Sequence, residues 1–188
     1  MPLSHTMKLI ELSDIKIAKM LTDDGTATTY GALVDMPGAM KITLSPKADS
    51  KQLRGDSVLV DVYTKITEVE IDVECSMFNL DVLPILIGGT VTDTGTTPNQ
   101  VTKFSLGAAN TTPPFFKIEG QWTYVNIGTG DAHVVLYKCK VTDAPSFEIN
   151  DASGNFGTLK FKGLALPTTF NGNWYDLILN ETATAIGA

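Results

Sequence analysis

The segment from Glu68 to Ile87 constrains the fold more than any other. From Glu68 to Cys75 the chain alternates without a break, with Val69, Ile71, Val73 and Cys75 on one side and Glu68, Glu70, Asp72 and Glu74 on the other. A period of two with one apolar side predicts a β-strand with one buried face. The residues that follow, Asn79 to Ile87, are almost continuously apolar and end at Gly88-Gly89. With Asn79 as a capping residue, Pro84 near the first turn and glycine behind, they predict a short helix. That helix packs on the sheet through Leu80, Val82, Leu83, Leu86 and Ile87.

Most of the remaining chain reads as strands punctuated by turns. Strands are predicted over 14–21, in a pair between Tyr30 and Leu44 interrupted at Pro37-Gly38, and over 58–63, 101–106, 115–125, 133–141, 147–149, 157–166 and 174–180. Turn chemistry such as Asp24-Gly25 and Asn110-Thr111-Thr112-Pro113-Pro114 separates them. Many strands and one helix predict a mainly β fold, an antiparallel β-sandwich or barrel with one short flanking α-helix. A chain of 188 residues suits one domain with a core large enough to fold unaided. The expected division is a flexible leader over 1–13, a single domain over 14–180 and a flexible tail over 181–188. Residues 88–100, rich in Gly, Thr and Asp, read as a linker between two halves of the sheet.

Ser45 to Val58 stands apart. It is polar, of mixed charge and poor in apolar residues, yet it lies between two good strands. A connection of that length inside a compact domain is usually functional or mobile. Two readings stand side by side: a segment that orders against another molecule, carried by Ser45, Lys47, Asp49, Lys51, Gln52, Arg54 and Asp56, and a mobile hairpin tip.

Chemistry-bearing constellations are sparse, and no enzymatic activity is expected. The two histidines are His5, in the leader, and His133, within a strand, and neither has a nucleophile motif beside it. Cys75 and Cys139 lack the short paired spacing of zinc ligands and are expected to be reduced, buried thiols. Phosphate-cradling loops are absent, and no cofactor or metal is expected. A net charge of -7 argues against general nucleic-acid binding, which needs clustered Lys and Arg. No stretch approaches the roughly 20 apolar residues that span a bilayer, so no membrane partner is expected.

The carboxylates at 68, 70, 72 and 74 line up along one strand and do not converge as calcium requires. Singly, each suits a solvated sheet face. As a set they repel one another unless water or facing cations relieve them, and copies of the strand around a closed ring would make a polyanionic inner wall.

Several segments in fixed order resemble the major tail proteins of long-tailed bacteriophages, the tail tube subunits of siphophages. They are IKIAKMLTDDGTATTYGALVDMPGAMKITLSPKADSKQLRGD, TEVEIDVECSMFNLDVLPILIGG, TLKFKGLALP and NWYDLILNE, and together they span about Asp14 to Asn180. The resemblance implies a β-sandwich with one flanking helix that forms hexameric rings, stacked into a hollow tube within the virion after synthesis in the host cytoplasm. Residues 80–87 would be the flanking helix, 45–58 the loop reaching the neighbouring ring, and Glu68, Glu70, Asp72 and Glu74 candidates for an acidic lumen. Genome DNA would pass without specific binding, and a tape measure and other tail proteins would be partners. The alternatives are a β-sandwich carbohydrate or receptor-binding module, using Trp122, Tyr124, Trp174 or Tyr175, and a related ring-forming tail adaptor.

Overall fold

The computed structural model describes residues 9–108, 112–124, 130–147 and 158–187. The leader 1–7 with His5, strand residues 148–149 and turn residues 110–111, 128–129 and 151–155 lie outside them. In chain order the strands are β1 (Leu9–Asp23), β2 (Thr28–Tyr30), β3 (Val34–Asp35), β4 (Ala39–Gly55) and β5 (Val58–Cys75). A 3-10 turn (Leu80–Val82) and the single-turn helix α1 (Leu83–Leu86) follow. Then come β6 (Thr90–Thr94), β7 (Val101–Ser105), β8 (Phe116–Tyr124), β9 (Asp131–Phe147), β10 (Leu159–Leu166) and β11 (Tyr175–Asn180). The expected mainly β, antiparallel sandwich or barrel with one short helix is the observed fold.

One sheet, ordered β2-β1-β8-β9-β10-β5-β4, makes both layers. The strand that allows this is β9. Its first half pairs with β8 on one side and β11 on the other, and its second half pairs with β10. The expected strand 133–141 therefore runs on as far as Phe147, the first residue of the expected strand 147–149 and its one described residue. The β9–β10 register slips on either side of Lys162, and Pro145, which has no N–H to offer a ladder, falls within one of those irregularities. Folding the sheet over brings Ile42 of β4 beneath Gly120 of β8, where an added Cβ would sit 3.7 Å from Ile42 Cδ1 and 3.1 Å from Val134 Cγ1.

The core between the layers takes Ile15 and Ile17 from β1, Val69, Ile71, Val73 and Cys75 from β5, and Phe116 and Ile118 from β8. Val134, Leu136 and Cys139 of β9 and Leu159 and Phe161 of β10 complete it, with Phe116 and Phe161 edge to face at 6.1 Å. The helical segment closes one end of this core through Val82, Leu83, Ile85 and Leu86. Asn79 caps it by accepting from the Asp81 N–H, Pro84 falls in the first turn, and Gly88 and Gly89 leave it at positive φ, as the residue types require.

Four boundaries differ from expectation. β1 begins at Leu9 and pairs with β8 from there, so residues 9–13 belong to the sheet and not to a leader. The C-terminal segment is anchored as far as Gly187: Ile186 is buried, its carbonyl accepts from Lys16 Nζ, and the Thr184 N–H donates to Asp131. Residues 88–100 are not a plain linker, because β6 pairs with β7 as a separate two-stranded hairpin. Finally, 45–58 is not a loop. It is the far end of β4, the start of β5 and the two-residue turn between them.

Candidate functional site: an exposed hairpin arm and a charged sheet face

The β4–β5 hairpin is paired from Ala39↔Cys75 to Gly55↔Val58 and turns on Asp56 and Ser57, both at positive φ (50 and 67). Two consecutive left-handed residues in a two-residue loop match the twist of the flanking strands. The root of the hairpin is core, with Val69 and Ile71 buried. Beyond it every residue from Pro46 to Thr67 is exposed. Residues 47–67 therefore form an arm, two strands wide, that leaves the domain with neither face covered. All seven residues assigned from sequence to this segment, Ser45, Lys47, Asp49, Lys51, Gln52, Arg54 and Asp56, belong to the hairpin, Ser45 at its root and Asp56 in its turn.

The arm has two different faces, and the pairing register reveals them. β5 advances two residues where β4 advances one, from Glu68 to Ile66 opposite Lys47 and Ala48, and again from Asp61 to Leu59 opposite Leu53 and Arg54. Each bulge reverses the parity of β5. The face continuous with the core runs Ile71, Val69, Ile66, Thr64, Val62, Leu59, opposite Leu44, Pro46, Ala48, Ser50, Gln52 and Arg54. It holds one charged residue, Arg54, whose guanidinium donates to Gln52 Oε1 at 3.1 Å. The opposite face carries Lys47, Asp49, Lys51 and Leu53 against Glu68, Lys65, Tyr63 and Asp61. Tyr63 is 64% exposed, Val62 46% and Ile66 54%. At the root, Pro46, Ile66, Val69, Trp174 and Tyr175 line an apolar cleft of about 210 Å³.

Glu68, Glu70, Asp72 and Glu74 share the outward side of β5, as their spacing predicts, but they do not form a bare polyanion. Lys41 reaches Asp72 at 2.7 Å, Lys47 reaches Glu70 at 3.1 Å and Lys160 reaches Glu74 at 3.0 Å. Register places Lys162 of β10 opposite both Asp72 and Asp143. The strip of carboxylates is thus flanked by lysines from both neighbouring strands. An open concavity of about 490 Å³ on this face is lined by Glu68, Glu70, Asp72, Asp143 and Lys162 among others. Such exposed pairs are each worth about 0–1 kcal/mol and relieve the repulsion along the strand.

No catalytic constellation is assembled among the described residues. His133 Nε2 donates to Asp131 Oδ2 over 2.9 Å, and Asp131 is a buried structural hub. Burial works to raise its pKa, and hydrogen bonds from Asn180, the Thr184 N–H, Gln121 and His133 more than offset that, leaving the carboxyl below its ordinary value. Asp23 sits well below the carboxylate range, chiefly through the Lys138 ammonium at 2.7 Å and donors from Thr169, against the opposing effect of burial. Both cysteines are free and buried, and burial pushes the Cys75 thiol up to about 12 and Cys139 higher still. Among the described residues no group of His, Cys, Asp and Glu is placed to hold a metal ion, and no helix is long and apolar enough to cross a membrane.

The sequence reading missed the β5 half of the arm, Leu59, Val62 and Ile66, because the alternation that marks 68–75 changes phase at Thr67. It also missed an apolar patch at the opposite end of the hairpin, where Met40, Met77 and Phe78 are exposed. No protein-family model matches this chain, and a search of the curated proteins finds no match either.

Proposed function

We propose that the chain is a non-enzymatic structural subunit of a bacteriophage tail tube, self-assembling as hexameric rings that stack into a hollow conduit for DNA. The observation that carries this reading is the arm. A two-stranded ribbon alone is marginally stable in water, and this one extends from the domain with an apolar row on one face and mixed charge on the other. Such an element gains its cover from a neighbouring molecule. The free outer edge of β4 along the arm is also a template for pairing with another chain. The resemblance across 14–180 supplies the kind of assembly.

The charged face of β4, β5 and β10 is the lumen candidate, with Glu68, Glu70, Asp72 and Glu74 at its centre. Because lysines flank these carboxylates, the wall it would form is charge-alternating. DNA on such a wall meets neither the clustered cations that grip phosphates nor an unrelieved negative field. A tape measure and other tail proteins would be further partners of such a tube.

A carbohydrate-binding reading gains less support. Trp122, Trp174 and Tyr175 pack against the core cluster, and the cleft that Trp174 and Tyr175 line is completed by Pro46, Ile66 and Val69, none of which offers a side-chain polar group to sugar hydroxyls. Negative-stain electron microscopy over a concentration series tests the proposal. Hollow tubes or six-fold rings are expected, and saturable glycan binding by a protein that forms neither would replace it.

A further inference from the structure

The β4–β5 hairpin carries apolar surface at both of its ends. At one end is the core-side face of the arm, with Leu59, Val62 and Ile66 and the single cation Arg54. At the other is the base, where the hairpin closes on the loop before β4. The Ser76 N–H donates to Gly38 O at 2.7 Å, and Met77 lies against Gly38. Met40 is the residue left over where the register slips between Ala39 and Lys41. Together with Met77 and Phe78 it is exposed, at 55%, 60% and 45%. Asp81 follows three residues after Phe78, on the first helical turn. Among the described residues Asp81 is within ion-pair distance of no cation, and Arg54 is within that distance of no carboxylate.

We infer that the core-side face of one copy's arm seats on the Met40–Met77–Phe78 base of the next copy, with Arg54 directed toward Asp81. This names the receiving surface for the arm and rests on the self-assembly proposed above. Three features favour a second copy of this chain as occupant. Apolar surface at one end of the hairpin answers apolar surface at the other. One cation without an ion-pair partner, Arg54, answers one such carboxylate, Asp81. The two patches lie at opposite ends of a strand of 17 residues, roughly 50 Å at ~3.3 Å per residue. Two different, complementary patches at opposite ends of one molecule make a heterologous contact, which propagates along an axis and does not close as a dimer. The methionines suit such a surface, since their unbranched side chains adapt to a partner.

Single cysteines introduced as Val62→Cys and Met77→Cys in separate full-length proteins, mixed and treated with a short bismaleimide, test the contact. The native thiols are buried and stay silent. The Val62–Met77 mixed product is expected in excess over both homodimers and over a Val62→Cys plus Thr26→Cys control, Thr26 being an exposed turn residue. Adding Phe78→Glu to the Met77→Cys protein, with its fold checked by circular dichroism, is expected to lower the mixed product about tenfold or more, equivalent to at least ~1.4 kcal/mol. Equal yields of mixed and homodimeric products, or indifference to Phe78→Glu, would overturn the contact. Rings or tubes in micrographs alongside equal yields would overturn this contact alone and leave the tube reading standing. A selective mixed product without rings or tubes would do the reverse.

Discussion

Removing the arm separates assembly from stability. Deleting residues 48–67 and joining Lys47 to Glu68 through Asn-Gly keeps the Lys47↔Glu68 pair as the last rung and supplies a turn of the required hand. None of the deleted side chains is buried. The largest loss is Ile66, which at 54% exposure gives up about half of a full burial, on the order of 1 kcal/mol. A shorter unfolded chain offsets part of that. Ile71→Ala, three positions inside the retained root and 1% exposed, costs roughly 2–5 kcal/mol by comparison. Urea denaturation followed by tryptophan fluorescence measures both. The expected outcome is a truncated protein within about 1 kcal/mol of the parent, fully folded, that forms no tubes at concentrations where the parent does. A loss as large as that of Ile71→Ala would mean that the arm belongs to the folding unit, and normal tubes would refute its part in assembly.

Three further outcomes are expected. The Asp23 carboxyl is depressed in the folded state, so its contribution is complete above the unfolded value of about 3.9 and is lost as pH falls through the folded one. The stability gap between the parent and Asp23→Asn is therefore expected to shrink between pH 5 and pH 2, by about the range of that titration, and a gap constant with pH would contradict the ion pair with Lys138. Cys75 and Cys139 are expected to resist a thiol reagent at pH 8 in the native protein and to react fully in denaturant, near the ordinary thiol value of about 8.5; rapid native labelling would show that the core opens. Replacing Glu70 and Glu74 by Gln, which removes two such pairs, is expected to change stability by less than about 2 kcal/mol in total, with a larger loss marking those pairs as structural.

The buried side of β5, the position of the single helical turn, its Asn79 cap and its glycine exit, and the overall β architecture were all legible in the chain. Each depends on contacts within a few residues: the pleat imposes a period of two, and capping and termination are local to the helix ends. The cations that face Glu70, Asp72 and Glu74 were not legible, because Lys41, Lys47 and Lys160 become neighbours only through the pairing of β4 and β10 with β5. The anchoring of the C-terminal segment depends in the same way on Asp131, a carboxylate whose partners come from β8, β11 and the tail itself. Polar composition made 45–58 look like a loop. Pairing of 45–55 with 58–70 makes it a strand, since backbone hydrogen bonds between adjacent strands do not require apolar side chains. The two bulges that turn Ile66, Val62 and Leu59 onto the core-side face arise from register, a relation between two strands that periodicity along either one does not contain. Local pattern thus determined what each element is, and long-range pairing decided which faces it presents and where those faces outrun the domain's own core.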